Sequence, residues 1–286
     1  MTGQHLPIAP GLYFVATPIG AARDITLRAL DIFGAADILA AEDTRTLRHL
    51  LDIHGVAIGD RPLWAYHDHN GERVRPKILA ALDAGKSVAY ASEAGTPLVA
   101  DPGYQLGRVA IAAGHDVIAA PGASAVLAAL TVSGLPSDRF LFAGFAPTAA
   151  NARAQWLAEL AATPATLVIY ESPKRIHTLL DAMVQCCGSD RQAVICRELT
   201  KKFEEVTRGT LADLRTAYDG RAVKGEIVVL LDRARAVTTS TENVEDALRE
   251  ALMNMSVKDA AAMVAEALGL PRRRVYQIAL GLERDA

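Results

Sequence analysis

The chain has 286 residues, 51% of them hydrophobic and 22% charged, with a formal net charge of −3. These values suit a globular protein with room for two domains and a small appendage, and they argue against a nonspecific polyanion binder. No apolar run approaches the ~20 residues of a membrane span, and Met1–Pro7 lacks the basic start and apolar core of a secretion signal, so the expected location is the cytoplasm and no membrane partner is expected. Cys186, Cys187 and Cys196 are an odd set without CxxC spacing, and they read as reduced, mostly buried thiols.

In chain order, strand-like and helix-like runs alternate. Leu12–Ala16 reads as a short buried strand, Thr17–Gly20 as a turn, and Asp24–Phe33 as a helix with Asp24 as its N-cap. Asp37–Ala41 is a second strand, after which Glu42-Asp-Thr-Arg45 opens a helix through Leu51. Further strand-like runs fall at Leu63–Tyr66, Ser87–Ala91, Asp116–Ala119, Phe140–Phe145, Ala165–Tyr170, Ala193–Cys196 and Glu226–Leu231. This alternation is the signature of an α/β protein. Pro121–Ala125 opens a small-residue helix through Val132, and a boundary between two α/β halves is expected near 115–122. The expected domains are 1–120, 121–233 and a helical module over 242–286, with a charged, Thr/Ser-rich linker over Arg233–Thr241.

That module predicts three helices. The first covers Val244–Met253. Ser256 with Asp259 caps the second, Gly269 stops it, and Pro271 starts the third, which opens on Arg272-Arg273-Arg274. Two helices joined by a short Gly-containing turn resemble a helix-turn-helix, and a basic start on its second helix is what a nucleic-acid reader presents. A docking or dimerising role fits the same pattern.

Several chemistries are absent from the sequence. There is no GxxxxGK[ST] loop, no GxGxxG fingerprint and no HExxH. His67-Asp-His69 in a strand-like segment would put both rings on one face, but no third metal ligand accompanies them, so no metal is expected. The densest signal is Ser92-Glu-Ala-Gly-Thr-Pro-Leu-Val-Ala-Asp-Pro-Gly103, which follows a buried strand and precedes a helix near Tyr104. Glycine and proline packed this closely make a pre-shaped turn, in the place where open α/β sheets hold ligands.

Read together, these runs resemble one family. They are Val15–Gly20 with Asp24–Leu30, Ala41-Glu-Asp-Thr-Arg45, His67-Asp-His-Asn70, Ser92–Gly103, Pro121–Ala125, Tyr170-Glu-Ser-Pro-Lys-Arg175, Arg197–Lys201 and Lys224–Val228. In this order, and over essentially the whole chain, they resemble the ribosomal RNA small-subunit methyltransferase I family, within the tetrapyrrole-methylase-like class. The resemblance implies two α/β domains with S-adenosylmethionine in the cleft between them, and a C-terminal helical module. It also implies a homodimer that methylates the 2′-hydroxyl of a cytidine in 16S rRNA of the small ribosomal subunit. The chain departs from the family pattern at Ala21-Ala22, at Glu93 where Asp is commoner, and at Gly71-Glu72.

Methyl transfer from a sulfonium is an in-line displacement, so the protein must align donor and acceptor and exclude water. Candidate cofactor-binding residues are Ala94, Gly95, Thr96 and Pro97 in the first loop, and Ser124 and Ala125 at a helix N-terminus that can meet a carboxylate. Tyr170 and Glu171 at a strand end, and Gly225 and Glu226 at a turn, complete that set. Glu42, Asp43 and His67 are candidate bases for the hydroxyl; Asp43 is equally suited to capping a helix. Arg23, Arg45, Lys174, Arg175, Arg272, Arg273 and Arg274 are candidate RNA contacts. Two other functions fit parts of the pattern: a tetrapyrrole C-methyltransferase of the same fold, and a nucleic-acid-binding regulator that senses a nucleotide.

Overall fold

A computed structural model describes residues 7–67, 69–101, 103–234, 241–268 and 270–284, the side chains at 241–243 and 283–284 excepted. Residues 235–240 of the expected linker, Asp68 of the His67–Asn70 motif, and Gly269, the expected helix stop, lie outside the described residues. The chain divides into two compact units, 1–234 and 235–286.

The first unit begins with a parallel sheet of β1 (Gly11–Val15), β2 (Ile38–Ala41), β3 (Leu63–Ala65), β4 (Ser87–Ala91) and β5 (Val117–Ala120), in the order β3-β2-β4-β1-β5. Strands β1, β2 and β4 are buried along their whole length, because helices α1 (Leu27–Ala35), α2 (Thr44–Ile53), α3 (Gly71–Asp83) and α4 (Gly103–Ala112) supply apolar cover on both faces. One core gathers Val15, Phe33, Leu39 and Leu51; the opposite face gathers Leu12, Tyr66, Ile78 and Tyr90. Each such side chain removed from water contributes about 1.5–3 kcal/mol before entropy is counted. The register pairs Val15 with Ala91 and Ala120, and Ala41 with Ala91. The carboxyl ends of four strands are therefore level, and the loops that follow them lie side by side.

Helix α1 starts later than the apolar spacing predicts. Thr26, not Asp24, is its N-cap: Thr26 Oγ1 accepts the Ala29 N–H at 3.0 Å, while Asp24 ends a short 3₁₀ turn. The chain does not continue as strand past Ala65 into the His67–Asn70 motif. The Asn70 side chain accepts the His67 N–H at 2.9 Å and donates to the Ala65 carbonyl at 3.0 Å, which folds the chain back directly after β3.

Helix α5 (Ala125–Ser133) leads to a second sheet of β6 (Phe140–Phe145), β7 (Thr166–Glu171), β8 (Gln192–Arg197), β9 (Glu205–Thr210) and β10 (Ile227–Leu231), in the order β6-β7-β10-β8-β9. Only β6 and β7 pair in parallel. Helices α6 (Ala150–Ala161), α7 (Ile176–Cys187) and α8 (Leu211–Tyr218) cover one face, burying Leu157, Leu179, Met183 and Leu214. Helix α5 covers the other with Val126, Ala129 and Leu130, joined by Ile19 from the loop after β1. Strand β9 is not predicted by the sequence pattern. It is a polar edge strand, held by Glu205, which accepts from Arg197 Nε at 3.0 Å and from both terminal nitrogens of Arg221. All three cysteines are free thiols; burial pushes that of Cys196 up to about 12.

The second unit holds α9 (Thr241–Leu252), α10 (Val257–Ala267) and α11 (Arg272–Arg284) around Val244, Leu248, Val264, Val275 and Ala279. Ser256 caps α10 as its spacing predicts, accepting the Asp259 N–H and donating to the Asp259 carboxylate at 2.6 Å. Pro271 stands immediately before α11. Among the described residues, no helix is long and apolar enough to cross a membrane.

Candidate functional site

The level strand ends of the first sheet open onto a cavity of about 390 Å³ whose far wall comes from the second sheet. Four of its segments carry the expected residues. The loop after β4 contributes Ala94, Gly95 and Thr96; the start of α5 contributes Ser124 and Ala125; the end of β7 contributes Tyr170 and Glu171; the turn into β10 contributes Gly225 and Glu226. These are nine of the expected cofactor-binding residues; Pro97, in the same loop as Gly95, stands outside the lining.

The shape of the first loop is locked by specific bonds. Thr17 and Gly95 exchange both backbone hydrogen bonds at 3.0 Å, and Thr96 Oγ1 donates to the Ala123 carbonyl at 2.9 Å. Gly95 has φ of 81°, and an added Cβ would stand 3.2 Å from Ile19 Cγ2, so backbone conformation and space both favour glycine. Leu98 and Ala100 also have positive φ, as do Glu198 and Thr200 in the facing loop after β8. Non-glycine residues in that region store strain, and such strain gathers at functional sites. Gly225, with φ of 89°, packs so closely on Glu198 that a Cβ would lie 2.4 Å from its carboxyl carbon.

The charged side chains in the lining are all carboxylates: Glu42, Glu93, Asp101, Glu171 and Glu226. Two are compensated from outside the lining. Arg175 pairs with the buried Glu171, and Lys201 Nζ reaches Glu226 at 2.9 Å. Asp101 lies half-buried; its Oδ1 accepts from the Gly103 N–H at 2.6 Å and the Tyr90 hydroxyl at 3.3 Å, and burial raises its pKa. The Glu93 N–H donates to Glu42 Oε2 at 3.2 Å, which fixes Glu42 on the cavity wall. Opposite this acidic rim, α5 presents its N-terminus, where free N–H groups and the helix dipole favour an anion. Its N-cap Ser124 makes no capping bond through its side chain. Ile19, Val99, Phe145 and Tyr170 make the remaining walls apolar.

The candidate bases separate. Glu42 lines the cavity; Asp43 and His67 do not. Asp43 caps α2, accepting the Arg45 N–H at 2.8 Å, and its carboxylate also holds the Arg45 guanidinium at 2.9 Å. The Arg45 side chain keeps Asp43 far below the usual carboxylate range, at about 2, so it is a poor proton acceptor. His67 lines a different depression with Glu72, Arg75, Gln105 and Arg108. Of the basic candidates, Arg45 and Arg175 pair with Asp43 and Glu171, Arg45 with its side chain still exposed; Arg23, Lys174 and Arg272–Arg274 are exposed as well. Sequence context does not single out Asp101, although it sits inside the 92–103 run; its Asp-Pro-Gly spelling signals only a helix start.

The family model for tetrapyrrole (corrin/porphyrin) methylases matches residues 11–215, and that for the RsmI C-terminal HTH domain matches 238–283. Among solved structures, cobalt precorrin-4 methyltransferase shares the fold with a TM-score of 0.58 at 18% identity, over 77% of this chain and 94% of that one. Uroporphyrin-III C-methyltransferase of Thermus thermophilus, solved with S-adenosylhomocysteine, gives 0.53 at 18% identity, over 77% and 96%. Proteins named ribosomal RNA small subunit methyltransferase I are far more similar in sequence. The Mesorhizobium japonicum protein is 48% identical over 97% of this chain and 94% of its own length. The Xylella fastidiosa protein is 44% identical over 93% and 98%. With the two-sheet fold, the helical second unit and full-length matches in agreement, the chain belongs to the ribosomal RNA small subunit methyltransferase I family.

Proposed function

We propose that this protein transfers a methyl group from S-adenosylmethionine to the 2′-hydroxyl of a cytidine in 16S rRNA of the small ribosomal subunit. The observation that carries the reading is the cavity between the two sheets. Its carboxylate rim suits a cation, the α5 N-terminus suits a carboxylate, and its apolar walls suit a flat base, which together are the charge pattern of that donor. When bound, the donor supplies an electrophilic methyl group. Everything else falls to the chain. Gly95 and Thr96 bring backbone close, Ser124 and Ala125 receive the anionic end, and Tyr170 with Phe145 excludes water from one side. Glu171, Gly225 and Glu226 close the far wall.

Glu42 accepts the hydroxyl proton, because it alone of the three proposed bases faces the cavity. Asp43 holds the helix that follows it. We assign 1–120 and 121–233 as the two catalytic domains. The module over 242–286 engages RNA through Arg272–Arg274, with Arg23 and Lys174 as further phosphate contacts. The protein acts in the cytoplasm as a homodimer; exposed Phe140, Leu141 and Phe145 on the edge strand β6 support a self-association face.

The test is methyl incorporation from labelled donor into assembled small subunits, naked 16S rRNA and uroporphyrinogen. Label should enter the subunits, at a position that resists alkaline cleavage because its 2′-oxygen is blocked. Label in uroporphyrinogen, or on a base, would overturn the reading. Sedimentation of the purified protein at twice the chain mass supports the dimer, and a monomer at micromolar concentration refutes it.

A further inference from the structure

The depression that takes His67 lies on the same edge of the first sheet as the cavity. It is lined by Tyr66 and His67, which follow the outermost strand β3, and by residues of α3 and α4. The Tyr66 N–H donates to the Ala41 carbonyl at 2.8 Å, one residue before Glu42. The Tyr66 ring meets Tyr90 edge-on at 5.7 Å, and Tyr90 in turn reaches Asp101 in the cavity. Neighbouring strands stand about 4.8 Å apart, so β3 lies roughly 10 Å from β4 across β2. A chain whose reacting ribose is in the cavity can reach both.

The depression has the chemistry of an anion site. Its volume is about 420 Å³, and its walls are predominantly polar and basic. Arg75 comes from α3 and Arg108 from α4, two guanidinium groups delivered by different helices to one concavity. Neither makes an ion pair among the described residues, unlike Arg45, Arg175, Arg197, Arg221 and Arg233. Gln105, one turn before Arg108, adds an amide on the same helix face. His67 Nδ1 is buried and has no partner among the described residues. Helix α3 opens on the same depression at Gly71, and its N-cap Asn70 makes no capping bond, since its amide is spent on Ala65 and His67. Glu72 is the carboxylate in the lining, and it is exposed.

We infer that His67, Arg75, Gln105 and Arg108 form a phosphodiester subsite, which holds the backbone of the RNA next to the nucleotide that reacts at Glu42. The inference rests on the RNA-methylating reading above and moves His67 from proton transfer to substrate positioning. Arginine suits phosphate because its planar fork donates two parallel hydrogen bonds, and the neutral or charged imidazole adds one more. Such contacts position the strand without reading its sequence.

The experiment measures methylation of small subunits by the full-length protein across a series of potassium chloride concentrations. It compares wild type with Arg75→Ala/Arg108→Ala, Arg75→Lys/Arg108→Lys and Glu72→Gln, and calorimetry of donor binding runs alongside. The double alanine variant should raise the KM for subunits about tenfold while kcat and donor affinity hold. The slope of log KM against log salt should fall by about 1.4, at ~0.7 per lost contact to a single strand. The lysine variant should recover most of that slope. Glu72→Gln should lower KM two- to threefold, a gain that a damaged fold cannot produce. Inorganic phosphate should compete weakly and only with wild type. An unchanged KM and slope in the double alanine variant would overturn the subsite while leaving the methyltransferase reading intact. Failure of wild type to label small-subunit RNA would bring down both.

Discussion

The backbone N–H of Ala21 donates to Thr200 Oγ1 at 3.0 Å, across 179 positions of sequence. The bond ties the loop after β1 to the loop after β8, and so holds the two sheets around the cavity. The contact uses the backbone amide, which any residue but proline supplies at this position. Gly20 is pressed against Thr200 and Lys201, where a Cβ would stand 2.6 Å and 2.5 Å from side-chain atoms. Thr200 itself has φ of 64°. Thr200→Val removes the acceptor and leaves the Ala21 amide unpaired, at a cost of about 1–3 kcal/mol. Chemical denaturation should show that loss, donor affinity should fall several-fold, and Thr200→Ser should restore both. Wild-type stability in Thr200→Val would show that the two loops are not coupled.

Gly95 is the second test of the cavity. Gly95→Ala should cost about 1 kcal/mol through its left-handed backbone, and weaken donor binding moderately. Gly95→Trp should abolish donor binding by calorimetry, because its side chain must enter the space between Ile19 and the Ala123 carbonyl. Retained binding in the tryptophan variant would place the donor elsewhere.

Glu42 and Asp43 are adjacent in sequence and opposite in role. Glu42→Gln should lower kcat by 10²–10⁴-fold, with donor affinity within a factor of three. Asp43→Asn should keep most activity, since asparagine caps helices well. The Arg45 side chain holds the Asp43 pKa at about 2, so near neutral pH it stays ionised and contributes no limb to the rate profile. A wild-type acid limb that disappears in Glu42→Gln supports the assignment; full kcat in that variant refutes it.

Acid should loosen β9 first. Hydrogen bonds from Arg221, and then from Arg197, bring the Glu205 pKa down to about 2 from 4.5. A carboxylate depressed in the folded state stabilises above its unfolded pKa and loses that contribution as pH falls to the folded value. The stabilisation should therefore decline between about pH 4.5 and 2. Glu205→Gln should cost about 1–2 kcal/mol at neutral pH and flatten that acid dependence. Hydrogen exchange at 205–210 reads it directly; protection that is equal in the variant would refute the role.

Truncation after Ala234 removes the second compact unit. Donor affinity should stay within twofold, whereas methylation of small subunits should fall at least tenfold. Normal methylation by the truncated protein would exclude an RNA role for Arg272–Arg274.

The elements that sequence patterning located well are those whose burial is uniform. Strands β1, β4 and β10 are buried throughout and sit within a residue or two of their expected bounds. What patterning missed depends on side chains finding distant partners. Strand β9 is polar, and becomes a strand because Glu205 meets arginines 8 and 16 positions away. The His67–Asn70 motif has strand-like spelling, but the Asn70 amide bonds the backbone of Ala65 and His67 and ends the strand there. Within the cavity, Gly95, Ser124 and Glu171 were legible because turn chemistry and strand ends mark ligand positions. That Arg45 and Arg175 are taken up by neighbouring carboxylates was not, because whether a surface arginine is free depends on rotamers and neighbours that spacing does not encode.

The cavity draws its walls from residues as far apart as Ile19 and Val228. A chain being made by a ribosome therefore carries the first wall long before the last. At ~5–20 residues per second the interval is roughly 10–40 s. During that time the growing polypeptide has nothing to close around a small molecule, however complete its first sheet. The capacity to hold a ligand there arrives in one step, late in synthesis, and so marks finished molecules apart from unfinished ones.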